Sequence, residues 1–327
     1  MKGTFAILLG TLACATSVAA AQSLVDELAW AYAITPGPAP AAPVDDGTRH
    51  SLPGSAGQFT LDQIRNRMGP ADWYPGDHPS MPPIVAVGRE AAGVWACSLC
   101  HYPNGKGRPE NASVVGFSKE YFIQQMYDFK NGARASADAR KPNTPIMAGF
   151  AVQMTDEEIR AAAEYFSSMR WTPWIEVIET DTVPKTRIAG GMHLKLEGAE
   201  AGTEPLGNRI VESPVDAEHT ELLRDPRSGF IAYVPKGSVA RGEELARYGN
   251  EGVTACTVCH GYDLDGLAMV PSLRGRSPSY VARQLADMKL GKRRGAWTPL
   301  MAPVVVSLGS DDILNLAAYL ASLEPTP

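Results

Sequence analysis

Cys97, Cys100 and His101 lie together in CSLCH, and Cys256, Cys259 and His260 lie together in CTVCH. Two thiols and an imidazole within five residues can form a disulfide, ligate a metal, or attach a cofactor covalently. Of the five cysteines, Cys14 falls in an apolar leader, so every cysteine of the remaining chain belongs to one of these pentapeptides. A disulfide leaves the adjoining histidine unexplained. A structural zinc site needs four ligands, and each cluster offers three. A redox dithiol belongs in a βαβ context, whereas the flanks here read as helical.

Cys-x-x-Cys-His is the attachment signature of a c-type haem. The spacing presents both thiols to one edge of the porphyrin, where they add to its vinyl groups, and the next residue lies under the iron as an axial ligand. The expectation is two covalently attached haem c groups, held by Cys97, Cys100 and His101 and by Cys256, Cys259 and His260.

The elements around the two motifs repeat as well. The motifs are 159 residues apart, and from His101 to Tyr121 and from His260 to Tyr280 is 20 residues each. YFIQQMYDFKNGAR (121–134) lies over YVARQLADMKLGKR (280–293), TPIM over TPLM, and MTDEEIRAAAEYFSSM over LGSDDILNLAAYLASL. One domain is therefore used twice. The last helix of the first copy opens with Thr155 and Glu158 as a capping box and buries Ile159, Ala162, Phe166 and Met169 at helical spacing. Its counterpart buries Ile313, Leu316, Leu320 and Leu323. The helices opening near Tyr121 and Tyr280 end at Gly132 and Gly291, as left-handed caps. Such short helices bury little on their own, so a bound group must complete each core.

The repeat also selects the sixth ligand. Met154 aligns with Leu308 and Met169 with Leu323, but Met147 aligns with Met301. A ligand has to persist in both copies, which leaves Met147 and Met301. Each follows Thr-Pro-x, and the proline is expected to hold the preceding backbone extended in a ligand loop. His/Met ligation raises the reduction potential and leaves no open position, which suits electron transfer rather than peroxide chemistry.

Each copy resembles a class I cytochrome c domain, and the pair resembles the two-domain di-haem cytochromes c of the c4 kind, over 84–171 and 237–327. The resemblance implies a mainly α fold, two cytochrome c-type helical haem domains joined by a small β-rich insert. It also implies close packing of the domains and a proline carbonyl orienting each axial histidine. Pro271 fits that place in copy two. Copy one departs from the pattern with Ala112 there and Pro109 three residues earlier, which predicts an altered surround for His101 and unequal haem potentials.

Lys2, the run FAILLGTLACATSVAA and the small residues at 19–21 read as a secretory signal, residues 1–21, cleaved near Ala21. No later run reaches the ~20 apolar residues of a membrane span. Without Lys2, 29 basic residues face 36 acidic ones, a net charge of −7 that disfavours nucleic acid or an anionic membrane as partner. The chain is expected to be a periplasmic electron carrier between a dehydrogenase or quinol-oxidising complex and a terminal acceptor, with transient redox-protein partners and no catalytic residue. The alternatives are a di-haem cytochrome c peroxidase, which needs a distal position that can open, and a cytochrome subunit of a dehydrogenase complex.

Two segments lie outside the repeat. Residues 22–83 form an N-terminal extension with an Ala/Pro-rich tether (33–47), a short helix in TLDQIRNRM, and Trp73 and Tyr74 expected on the first haem domain. Residues 172–236 carry short β-prone runs and are expected to brace the two domains. His78, His193 and His219 read as turn, structural or exposed residues. The basic run KLGKRRG (289–295) is a candidate docking surface for redox partners.

Overall fold

A computed structural model describes residues 21–38, 41 and 43–325; the expected leader up to position 20 lies outside them. The N-terminal extension contains helical residues 21–27, α1 (Ala29–Tyr32) and α2 (Leu61–Ile64). Copy one follows with α3 (Pro83–Ala86), α4 (Cys97–His101), α5 (Lys119–Lys130), α6 (Asn143–Gln153) and α7 (Asp156–Ser167). Seven strands of the connector come next: β1 (Ile175–Glu179), β2 (Thr182–Pro184), β3 (Thr186–Ala189), β4 (Met192–Lys195), β5 (Thr203–Pro205), β6 (Val211–Pro214) and β7 (Phe230–Val234). Copy two closes the chain with α8 (Ser238–Tyr248), α9 (Thr257–His260), α10 (Pro278–Lys289), α11 (Thr298–Val305) and α12 (Ser310–Ser322).

Local chemistry sets the helix ends twice over. The Ser118 and Ser277 hydroxyls accept from the amides of Tyr121 and Tyr280 at 3.2 and 3.3 Å and cap α5 and α10. Both helices stop where Gly132 and Gly291 turn left-handed, at φ 68° and 65°. Thr155 and Glu158 form the full capping box of α7. In α12 Gly309 replaces the threonine, and half of the box survives as its amide donating to Asp312 Oδ2 at 2.8 Å.

The Thr-Pro-x-Met segments are not extended loops. Pro145 falls in the first turn of α6 and Pro299 in that of α11. Amides in a first turn have no partner within the helix, so a proline costs little there and favours the start. Met147 and Met301 therefore project from helices.

The start of the extension belongs to copy two. Leu24, Leu28, Trp30 and Tyr32 are buried in the same core as Leu316, Ala317 and Leu320, because this apolar run has to be covered and α10 offers the surface. Trp73 and Tyr74 do not pack on copy one either. They form a small cluster with Leu52, Ile64 and Leu223, and the Trp73 indole N–H donates to the Leu223 carbonyl at 2.8 Å. A buried indole needs an acceptor, and the connector supplies it.

The connector braces both copies. β1 and β7 pair in parallel, β6 joins β7 antiparallel, and two small antiparallel pairs, β2–β5 and β3–β4, lie in the crossover. Ala232 and Val234 of β7 enter the copy-two core, while Phe230 joins Trp171, Trp174 and Val115 on the copy-one side. On β6, buried Glu212 accepts from Ser277 Oγ at 2.8 Å and from the Ser279 amide at 3.3 Å; its second oxygen has no partner.

Burial pushes the Glu212 carboxyl up to about 7. A folded-state pKa above the unfolded value means that the folded chain holds more protons in between. The contribution is complete below about pH 4.5 and is lost as pH rises through about 7, a fall of roughly 3 kcal/mol. Glu212→Gln is expected to remove that fall, seen as denaturant midpoints that differ less between pH 4.5 and 7.5 than those of the wild type. Identical pH profiles for the two proteins would refute it.

Candidate functional site

Each motif helix is entered through a tight backbone bridge, Arg89 to Val94 in copy one and Asn250 to Val253 in copy two. Beyond each motif, a loop carbonyl returns to the histidine. His101 Nδ1 lies 2.8 Å from the Ala112 carbonyl, and His260 Nδ1 lies 2.8 Å from the Pro271 carbonyl. The two surrounds are therefore alike, and the altered one expected for His101 is absent. The contact uses a backbone oxygen, so its position in the loop matters and the side chain does not. A carbonyl acceptor fixes the proton on Nδ1 and leaves the Nε2 lone pair free for a metal. Burial lowers the pKa of both imidazoles and favours that neutral form.

In copy one Cys97, Cys100, His101 and Met147 line one cavity of about 290 Å³. Its walls are apolar, with Phe122, Met126 and Phe166 among them. Polar side chains from both copies line it too, Arg134, Lys141 and Asn143 with Tyr280, Arg283 and Asp287 of copy two, so the second copy contributes to the site of the first. In copy two Cys256 and Met301 pack against the same core and His260 is buried. The four thiols are unpaired, and burial pushes Cys97 up to about 12 and Cys256 up to about 11. A redox dithiol needs the opposite shift. A buried apolar slot with two thiols, an imidazole whose Nε2 is free and a facing thioether fits a c-type haem.

The two copies meet across a seam that repeats itself about a local two-fold. Arg134 donates to Gln125 at 3.0 Å and across the seam to Tyr280 at 3.3 Å and Gln284 at 2.9 Å. Arg293 donates to Gln284 at 3.1 Å and across it to Tyr121 and Gln125, each at 2.7 Å. The same surface thus pairs with itself.

The seam takes one residue of the basic docking candidate, Arg293, while Lys292 and Arg294 stay exposed. Arg293 is buried, Arg294 donates to the Gly132 carbonyl at 3.1 Å, and Lys289 bonds the Val306 and Leu308 carbonyls at 2.7 Å each. A guanidinium buried without a carboxylate has to bond neutral oxygens, and here those oxygens come from the other copy. The repeat held the signal: tyrosine, glutamine and arginine recur in register although neither helix packing nor capping requires them.

The single histidines lie apart from the cavity. His78 bonds Asp72 at 3.1 Å, His193 is buried 3.3 Å from the Thr186 hydroxyl, and His219 lies 3.4 Å from Asp225. No single helix among the described residues is long and apolar enough to cross a membrane.

A family model for cytochrome c matches residues 85–170. Over 245 residues the chain is 25% identical to cytochrome c4 of Pseudomonas aeruginosa, covering 73% of this chain and 88% of that protein. It is 31% identical over 243 residues to the thiosulfate dehydrogenase electron acceptor of Stutzerimonas stutzeri, covering 73% of this chain and 84% of that protein. Among solved structures, reduced recombinant cytochrome c4 from Pseudomonas stutzeri aligns with a TM-score of 0.46 at 22% identity, covering 69% of this chain and 93% of that one.

Proposed function

Since the chain belongs to the cytochrome c family, we propose that this di-haem electron carrier works in the periplasm and exchanges single electrons between a dehydrogenase and a terminal acceptor. It is an electron-transfer protein and not an enzyme. Bound haem c supplies the one-electron chemistry. Cys97 and Cys100 would hold one group and Cys256 and Cys259 the other, and His101 with Met147, and His260 with Met301, would bind the two irons. The haem domains span 84–171 and 237–327, with the connector between them. Among the residues that line the copy-one cavity, Arg134, Lys141 and Arg283 are the cations that would hold the carboxylates of its group.

One observation carries this reading: a single apolar cavity brings together both thiols, the imidazole and the methionine of copy one. The relative named as an electron acceptor of thiosulfate dehydrogenase supports a dehydrogenase as donor.

The visible spectrum of the reduced protein is expected to stay unchanged when carbon monoxide is added, since a methionine closes each site. Met301→Ala should make about half of the haem reactive, because removing an axial ligand opens a position at only one site. A wild-type protein in which half of the haem already responds would refute two closed sites and favour the peroxidase alternative.

A further inference from the structure

The connector treats the two motif faces differently. Over copy one, Arg224 donates to the Leu99 carbonyl and its guanidinium lies 5.6 Å from the centre of the Tyr102 ring. Asn104 donates to the Pro226 carbonyl at 2.7 Å. Leu99, between the two cysteines, is 8% exposed. Its repeat partner Val258 is 71% exposed, Cys259 is exposed beside it, and Tyr248, Tyr262 and Leu267 add open apolar surface around the motif. The connector thus covers this face in copy one and leaves it open in copy two, where Arg247 of the same copy lies 5.5 Å from the centre of the Tyr262 ring.

We propose that redox-protein partners dock on the copy-two motif face, around Val258, Tyr262 and Leu267, and that the copy-one equivalent is closed to them by the connector. The proposal rests on the carrier reading above. The occupant is a protein with an apolar contact ringed by basic residues, for two reasons. The repeat shows what covers this face in the other copy, namely an arginine beside the buried Leu223. Second, the exposed carboxylates that flank the motif along the chain, Glu244, Glu251 and Asp263, are in no ion pair among the described residues, while the cations nearby are already engaged, Arg247 by Glu243 at 2.9 Å and Arg274 by Asp265 at 3.3 Å. Exposed apolar surface with a charged rim suits a transient complex, in which the rim steers encounter and the apolar centre makes contact. A second copy of this acidic chain would meet like charge there.

The test uses the full-length holoprotein and stopped-flow electron exchange with two probes, a basic mitochondrial-type cytochrome c and the small neutral reductant tetramethyl-p-benzoquinol. Glu251→Lys/Asp263→Lys is expected to slow the protein probe about tenfold at low ionic strength, with the gap closing at high salt. Its quinol rate should stay within about twofold of the wild type, since a neutral reagent is not steered by charge. Leu267→Ser should slow the protein probe at every ionic strength. Glu120→Lys, an exposed reversal on copy one, should leave both rates unchanged. An unchanged protein rate in the double variant, or equal slowing by Glu120→Lys, would overturn the proposal. So would a concentration-dependent dimer dissolved by the same substitutions, which would assign the face to a second copy. A wild-type protein that the quinol cannot reduce would overturn the carrier reading itself.

Discussion

Replacing both Cys97 and Cys100 by serine is expected to cut covalently bound haem, measured as pyridine haemochrome per chain, from two groups to one. Serine hydroxyls do not add to vinyl groups, so attachment at copy one is lost while the copy-two motif is untouched. The damage should extend to the fold. The group that is lost would have covered the apolar lining of the copy-one site, with Phe122, Met126 and Phe166 among it, and that surface is then left to water. Copy one is the more dependent of the two on its bound group. Its N-terminal helix α3 has a single turn, whereas α8 of copy two packs along α12 so closely that a Cβ on Gly242 would sit 2.0 Å from the Asn315 carbonyl oxygen. Limited proteolysis of the variant should therefore cut within 84–171 and spare 237–327. Cys256→Ser/Cys259→Ser should also halve the haem but leave a fragment that resists digestion longer. Full haem content in either double variant would remove those cysteines from the attachment role.

What the sequence made legible was whatever repeats or acts locally. The capping box at Thr155 and Glu158 and the glycine caps at 132 and 291 are interactions within a few residues, and all are present. The choice of Met147 came from comparing two copies, and its cavity brings it together with Cys97 and His101. The misreadings share a different cause. Pro145 was read as a loop former when it starts a helix, because the restriction that a proline puts on its predecessor and its fitness for a first turn look alike in one dimension. Arg293 counts in the sequence as part of a docking surface because its partners Tyr121 and Gln125 are more than 160 residues away. The apolar stretch around Trp30 and Tyr32 sits beside a proline-rich segment, and no local signal tells that copy two is the surface that buries it. Ala112 was read as a defect because the family pattern names a proline, whereas the working group is a carbonyl that every residue carries.

Arg276→Met is expected to destabilise the protein by about 3–5 kcal/mol in denaturant unfolding and to disturb the haem of copy one although the residue belongs to copy two. Arg276 is 2% exposed and faces no carboxylate. Its guanidinium donates across the seam to the carbonyls of Ser113 at 3.3 Å, Val115 at 2.9 Å and Gly116 at 3.1 Å, and stacks 3.8 Å from the centre of the Phe117 ring. Burial lowers its pKa to about 10, so it stays charged at neutral pH. Methionine fills similar space but offers no donor, and three carbonyls of one loop lose a charged partner together. That loop begins at Ala112, whose carbonyl holds His101. Its release should let the imidazole reorient, so the reduction potential and the ligand-field spectrum of the copy-one haem should shift while those of copy two remain. Lysine keeps the charge but not the planar fork, so Arg276→Lys should recover only part of the stability. Equal shifts at both haems would mean a general loosening of the seam. A loss of stability with no shift at either would show that the Ala112 loop is held without Arg276.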